Sequence, residues 1–370
     1  MTIYFFTILV LFAFSLIDIN YELSTQTKQW LMLFIYLLLV VQVGLRWETG
    51  TDWNPYLSHF DSITDFTSTS PLTNGMEYGY DLFVFVSKLI WSNYSFFLLI
   101  HALIYYYLIF KSFNRYTPYF FVALLMFYTL SMGMMGSNRE LLAFAICLYA
   151  LRYVIEKKPI HFFLLLFVSI NFHTSAFVFS IFYFLNRPLK PYSLLLILGI
   201  TFIIGKTSIP FSLFSFVGNL IGGHAAVKTL SYLNSAEEQL QNAHLSMIGL
   251  LKKLVFLGFF YYNREKLREV IPYYTILLNG YIIGIAFYFL FSDTLLIMVS
   301  RGSFYFTMLE PLLLASQVCL FKGKLFKSIV IVILLIFAFL FFYQSISQYP
   351  DIFDPYKGLF INSSFSREMN

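Results

Sequence analysis

Charge is scarce in this chain: only 12% of its 370 residues are Asp, Glu, Lys or Arg, where soluble domains carry about 25%. With 59% of residues hydrophobic, a water-soluble fold has no surface on which to place this much Phe, Leu and Ile. A soluble globular protein is excluded, and the mean hydropathy of +0.74 agrees. Cysteine is scarcer still. Cys147 and Cys319 lie far apart inside apolar runs, so no spacing suggests a disulfide framework or a metal site. There is no HExxH, no nucleotide P-loop, no GxSxG and no Asp-x-Asp pair, which argues against a metal-dependent sugar-nucleotide transferase and an ATP-driven pump. The net charge of +5 does not gather into one basic block. Its cations sit in short clusters between apolar runs, a pattern of membrane topology and not of nucleic-acid binding. Internal repeats and low-complexity tracts are also missing.

What is present is a series of apolar runs. A membrane span takes about 20 apolar residues, and such runs lie near 3–20, 29–46, 94–110, 117–135, 139–156, 191–206, 246–263, 271–291, 299–321 and 326–345. The first has neither a basic leader nor a small-residue cleavage site and reads as a retained helix. Two further stretches fit less well. Residues 79–91 are short and carry Asp81 and Lys88, and "NFHTS" interrupts 160–186. The basic connections at 111–115, 156–159, 186–190, 263–269 and 322–327 should face the cytoplasm, and the acidic or long loops near 47–80 and 207–245 should face outward. Parity then makes 79–91 an interfacial helix and 160–186 a re-entrant pair broken at Asn171–His173. Broken backbone at membrane depth lines a wet cavity or is buried in protein. The expectation is an all-α polytopic membrane protein with about 10–12 membrane helices, one of them re-entrant or broken. One membrane domain covers 1–345, and a polar, loose tail covers 346–370.

Ionisable groups near membrane depth are expensive and mark candidate sites. Arg46 ends the second run and opens "LRWETGTDWNPYLSHF" over 45–60; an interfacial anchor is the ordinary alternative. Arg139 opens an apolar helix, where the helix dipole disfavours a cation unless an anion joins it. Its partner is either a substrate phosphate or a carboxylate such as Glu140 or one from the acidic loop. Arg301 repeats the arrangement, and Lys252 and Lys253 lie about two turns inside another apolar run. Together these cations describe an outward-facing pocket for a phosphate or diphosphate. Asp52, after Gly50, offers a carboxylate that accepts a proton or holds a sugar hydroxyl. Trp47, Trp53, Tyr56, Tyr78 and Tyr80 stack on sugars or form the aromatic belt of the interface. His173 is the histidine that sits at a break, and it reads as a base or as a satisfied buried His.

"LRWETGTDWNPYLSHF", "EYGYDLFVF", "GSNRELLAFAICLYALRY", "FHTSA", "KTLSYL" and "RGSFYF" follow one another in this order. That order resembles the EpsG-like family of polysaccharide polymerases, related in role to the Wzy O-antigen polymerases, over about residues 43 to 310. The resemblance implies a metal-independent glycosyltransferase of the GT-C class, without a cofactor, in the bacterial cytoplasmic (inner) membrane. Its active site would face the periplasm. Such enzymes transfer a glycan from undecaprenyl diphosphate onto the terminal sugar of a lipid-linked repeat unit, among membrane lipids and with a possible chain-length regulator. In this reading Asp52, His173, Arg139 and Arg301 are catalytic. Arg46, Trp53, Tyr56, Glu77, Tyr80, Tyr232, Lys252 and Lys253 hold substrate. One departure stands out: the family reads Arg-Gln at the helix start, whereas this chain has Arg139-Glu140, so Glu140 partly neutralises Arg139. The alternatives are an O-antigen ligase or other lipid-linked sugar transferase, and a flippase or exporter of lipid-linked oligosaccharide. A transporter is expected to show two similar halves with paired broken helices, and one clear break is visible.

Overall fold

A computed structural model describes residues 1–68, 75–221, 229–230, 232–234, 247–347 and 349–362. Among them no strand forms, and the one sheet-like contact is an isolated antiparallel bridge between Arg46 and Gly358. The helices used below are α1 Thr2–Asn20, α2 Thr25–Gly44, α3 Trp53–Ser62, α4 Tyr78–Ile90, α5 Tyr94–Tyr116, α6 Phe120–Ser131, α7 Asn138–Ala150, α8 Pro159–Ile170, α9 Pro191–Gly205, α10 Ile209–Ile221, α11 Met247–Tyr262 and α12 Tyr274–Phe291. A segmented run over Met298–Leu320 follows, and α13, Lys324–Ile346, completes the set.

Local chemistry explains the ends. Ser24 accepts the backbone N–H of Thr27 at 3.0 Å to start α2, and Asn93 accepts that of Phe96 at 3.0 Å to start α5, each supplying a partner that the first turn lacks. Pro159 and Pro191 begin α8 and α9, where a missing N–H is harmless. Among the described residues six helices are long and apolar enough to cross a membrane, or seven if the bent pair α9–α10 counts as one span, and three shorter apolar helices accompany them. Each of the ten expected runs is helical over most of its described residues. Large apolar side chains such as Phe6, Trp30, Ile336 and Leu340 remain exposed along α1, α2 and α13. Such faces suit lipid and not water. The protein is an all-α, multi-pass membrane protein.

Two stretches differ from expectation. The loop expected over 207–245 begins as helix α10, set at 83° to α9; the stretches 222–228 and 235–246, with His224 and His244, lie outside the described residues. The tail expected to be loose from 346 is instead docked over 349–362. Trp47 N–H donates to Lys357 O at 2.9 Å, Gly50 N–H to Ile352 O at 2.9 Å, and Leu359 N–H to Leu45 O at 3.0 Å. The tail thus satisfies main-chain groups that a motif loop without secondary structure leaves open.

The chain forms two compact units, one comprising 1–176 and 314–370, the other 177–313. In the first, α2 and α7 pack on α5, α8 packs on α7, and α13 lies along α1 and α6. In the second, α9, α11 and the helix Ser303–Thr307 pack on α12.

Candidate functional site

Span α2 closes on α5 through Gly44, where a Cβ would stand 2.9 Å from Leu99 Cα. Two residues on, the side chain of Arg46 turns inward and is only 1% exposed. Its Nη1 donates to Val43 O at 2.6 Å and its Nη2 to Asn138 Oδ1 at 2.8 Å; the guanidinium also faces the Trp53 ring at 5.8 Å. His101 Nε2 donates to the carbonyl of the same Asn138 at 2.8 Å. Arg46 is therefore a buried side chain that holds the start of α7, without the solvent access that a phosphate needs. Its bonds go to Val43 and Asn138, and it does not anchor Asp52.

Glycines then lock two motifs together. Gly50 and Gly136 have φ of +96° and +117°, a region that L side chains rarely enter. A Cβ on Gly50 would fall 2.1 Å from Met135 O, and one on Gly136 would fall 1.9 Å from Thr51 O. Between them Thr51 N–H donates to Met135 O at 2.8 Å. So "GTDW" and "MMGSN" are pressed backbone to backbone. Asp52 follows, itself left-handed at φ 55°, and stands exposed at the start of α3.

Arg139, on the first turn of α7, meets the acidic loop at this corner. Its Nη1 donates to Glu77 Oε2 at 2.5 Å and its Nε to the Tyr56 hydroxyl at 3.2 Å. The loop carboxylate on Arg139 is thus Glu77. The other Glu77 oxygen, Oε1, accepts the Thr174 backbone N–H at 3.1 Å and its hydroxyl at 3.0 Å. One carboxylate joins the cation to the broken helix, as the anion expected at that helix start. Burial pushes the Tyr56 phenol up from its ordinary range, Arg139 opposes the shift, and Asp52 adds to it.

The break lies where the sequence places it. Helix α8 ends at Ile170, and a 3-10 run begins at Thr174. Tyr80 N–H donates to Asn171 O at 3.2 Å, and a Cβ on Gly79 would stand 2.8 Å from that oxygen, so the start of α4 sits against the break. His173 is nearly buried, with Nδ1 2.5 Å from the Ser175 hydroxyl.

The aromatic residues expected at a sugar face divide. Tyr80 is fully buried, and Trp53 and Tyr56 are nearly so, in a cluster with Phe60, Val84, Tyr94 and Phe97. A ring enclosed in that way packs the loop onto α5 and offers no open face for a sugar; Tyr78 remains exposed. The same cluster encloses a pair that the sequence reading did not single out. His59 Nε2 lies 2.8 Å from Asp81 Oδ1, both buried. Asp81 was visible in sequence as an ionisable residue in an apolar stretch, a signal of its own.

Within the second unit, Arg301 sits in a π-helical turn, Met298–Gly302, and its Nη1 donates to the Tyr232 hydroxyl at 3.1 Å. The structure thus brings these two expected site residues together. Lys252 pairs at 3.3 Å with Glu310, which is 2% exposed and also accepts the Tyr281 hydroxyl at 3.2 Å. Lys253 lies over the Tyr288 ring at 5.4 Å. Glu310 was missed in sequence, although a carboxylate inside an apolar run is the same signal. Among the described residues no three His, Cys, Asp or Glu side chains lie together as a metal-ligand set.

No curated protein and no solved structure matches this chain. The EpsG family model matches residues 29–358, from the second span through the docked tail, and the chain belongs to the EpsG family.

Proposed function

We propose that the corner built by Asp52, Arg139, Glu77 and Thr174 is the site of a polysaccharide polymerase. The enzyme transfers glycan from undecaprenyl diphosphate to the terminal sugar of a lipid-linked repeat unit, at the outer face of a bacterial cytoplasmic membrane. The observation that carries this reading is the backbone lock between "GTDW" and "MMGSN", which presses the segment leading into the exposed Asp52 against the segment leading into Arg139. The family and the multi-pass fold support it. In the reaction the acceptor hydroxyl attacks the anomeric carbon and gives its proton to Asp52. The bond from that carbon to the diphosphate oxygen breaks, and the electron pair leaves with the diphosphate. Arg139 meets the charge that develops there. Glu77, holding Arg139 through one oxygen and Thr174 through the other, positions the guanidinium. Arg46 supports the corner from below, and His173 is the rival for the proton.

The test deletes the gene and resolves surface glycan on a gel. A single repeat unit on the lipid anchor supports a polymerase. Loss of all surface glycan overturns the reading in favour of a flippase, and long chains stranded on the lipid carrier assign a ligase.

A further inference from the structure

A second polar feature of the first unit lies far from the proposed site. A cavity of about 420 Å³ opens between the ends of α5 and α7, lined by Lys111, Arg115, Tyr116, Tyr149 and Arg152 among others. A single water occupies roughly 30 Å³, so the space admits a much larger group. The proposed catalytic corner is at the other end of the same helices, where Tyr94 and Asn138 begin them. Helix α5 has 23 residues, which at 1.5 Å per residue puts about 34 Å between its ends. That is close to the thickness of a bilayer core, about 30 Å. The cavity therefore belongs to the opposite membrane boundary, which the basic connections at 111–115 and 156–159 assign to the cytoplasm.

One of its cations is built in. The Arg152 guanidinium is stacked 3.9 Å from the Tyr149 ring and 4.5 Å from the Tyr153 ring. Its Nη2 donates to the Tyr153 hydroxyl at 2.5 Å, while its Nε is buried without a partner. The Tyr116 hydroxyl accepts the Arg152 backbone N–H at 3.1 Å and donates to Leu148 O at 2.6 Å, so the helix turn beneath is fixed as well. Glu156 does not line the cavity. It engages Arg115 at 2.6 Å and Lys158 at 3.0 Å, and these cations, Lys158 first, hold its carboxyl below its ordinary range. Three lining cations against one carboxylate outside leave an excess of positive charge.

We propose that this cavity binds the phosphodiester headgroup of an anionic membrane lipid. Arginine forks match phosphate geometry, and basic pockets between membrane helices on the cytoplasmic side suit such headgroups. The adjoining surface favours a lipid over free phosphate. Ile104, Tyr107 and Lys111 share one face of α5 at i, i+3 and i+7, and Ile104 and Tyr107 are exposed at 40% and 50%. An apolar track for an acyl chain thus runs from the cationic mouth along α5 toward the membrane interior.

The test supplies detergent-purified, delipidated protein with equal amounts of phosphatidylglycerol and phosphatidylcholine and counts retained lipid by native mass spectrometry. Wild type is expected to retain phosphatidylglycerol preferentially. The exposed pair Lys111→Gln with Arg115→Gln is expected to lose about fivefold of that preference for each cation removed, with an unchanged gel-filtration profile. Arg152→Lys, which keeps the charge, is expected to retain part of the preference. Equal retention of the two lipids by wild type overturns the proposal, as does a double variant with unaltered preference. Displacement of phosphatidylglycerol by millimolar inorganic phosphate would reassign the cavity to soluble phosphate.

Discussion

Glu77 and Arg139 meet at 2.5 Å although 62 positions separate them in the chain. Their side chains are 11% and 17% exposed, so water screens the pair little. Hydrogen bonds to charged groups contribute about 1.5–3 kcal/mol. Glu77→Gln keeps the shape and removes the charge. It is expected to lower thermal stability of the purified protein by that order and to shorten glycan ladders. A variant with wild-type melting and full ladders would show that the pair neither holds nor positions Arg139.

Arg139→Lys is expected to shorten ladders at normal protein abundance. Arg139 uses two edges of its fork, Nη1 for Glu77 and Nε for Tyr56, and an ammonium offers no such planar fork. Arg301→Lys is expected to act similarly, because its contact to Tyr232 is exposed and contributes little to folding. Ladder length in a complemented deletion strain decides it, with abundance checked in parallel. Normal ladders from both variants would reject a leaving-group role.

Asp52→Asn is expected to erase the ladder while leaving abundance unchanged. Asparagine tolerates the left-handed φ of 55° that Asp52 adopts, so the backbone lock should survive. A base contributes about 10²–10⁴-fold. Asp61→Asn and Asp65→Asn, in the same loop, serve as controls and should be tolerated. If His173→Ala is the inactive variant and Asp52→Asn only weakens the ladder, the proton goes to His173.

Gly136→Ala is expected to reduce both abundance and ladder length. The left-handed conformation alone costs an L residue about 1–2 kcal/mol, and the added carbon would meet Thr51 O at 1.9 Å. Gly199→Ala, with nothing within 4 Å of the added carbon, is the control and should be silent. Immunoblot and ladder from one culture measure both quantities. A Gly136→Ala protein at full abundance and activity would remove the lock from the account.

The motif order and the ionisable residues at apolar boundaries were legible as a list of candidates. Arg139, Asp52, Glu77 and Tyr56 were on that list, and Arg301 was named alongside Tyr232. Their roles were not equally legible. Arg46 read as one of several boundary cations, yet the structure buries it against Asn138, 92 positions away. Tyr80 read as a ring that stacks on sugar or joins the interfacial belt, and it is core. His59 had no context in sequence because its partner, Asp81, lies 22 positions on in another helix.

The amino-acid sequence by itself determined the all-α, multi-pass class and the position of the break before Thr174. Those properties depend on local composition: a run of apolar residues must satisfy its backbone internally, and helix is the way to do it. Only the tertiary structure decided which carboxylate neutralises Arg139, which cation is buried, and that the tail over 349–358 braces the motif loop at Leu45, Trp47 and Gly50. It also decided that Gly50 and Gly136 serve one lock. Such pairings join residues distant in the chain, and they leave no local periodicity by which either partner announces the other.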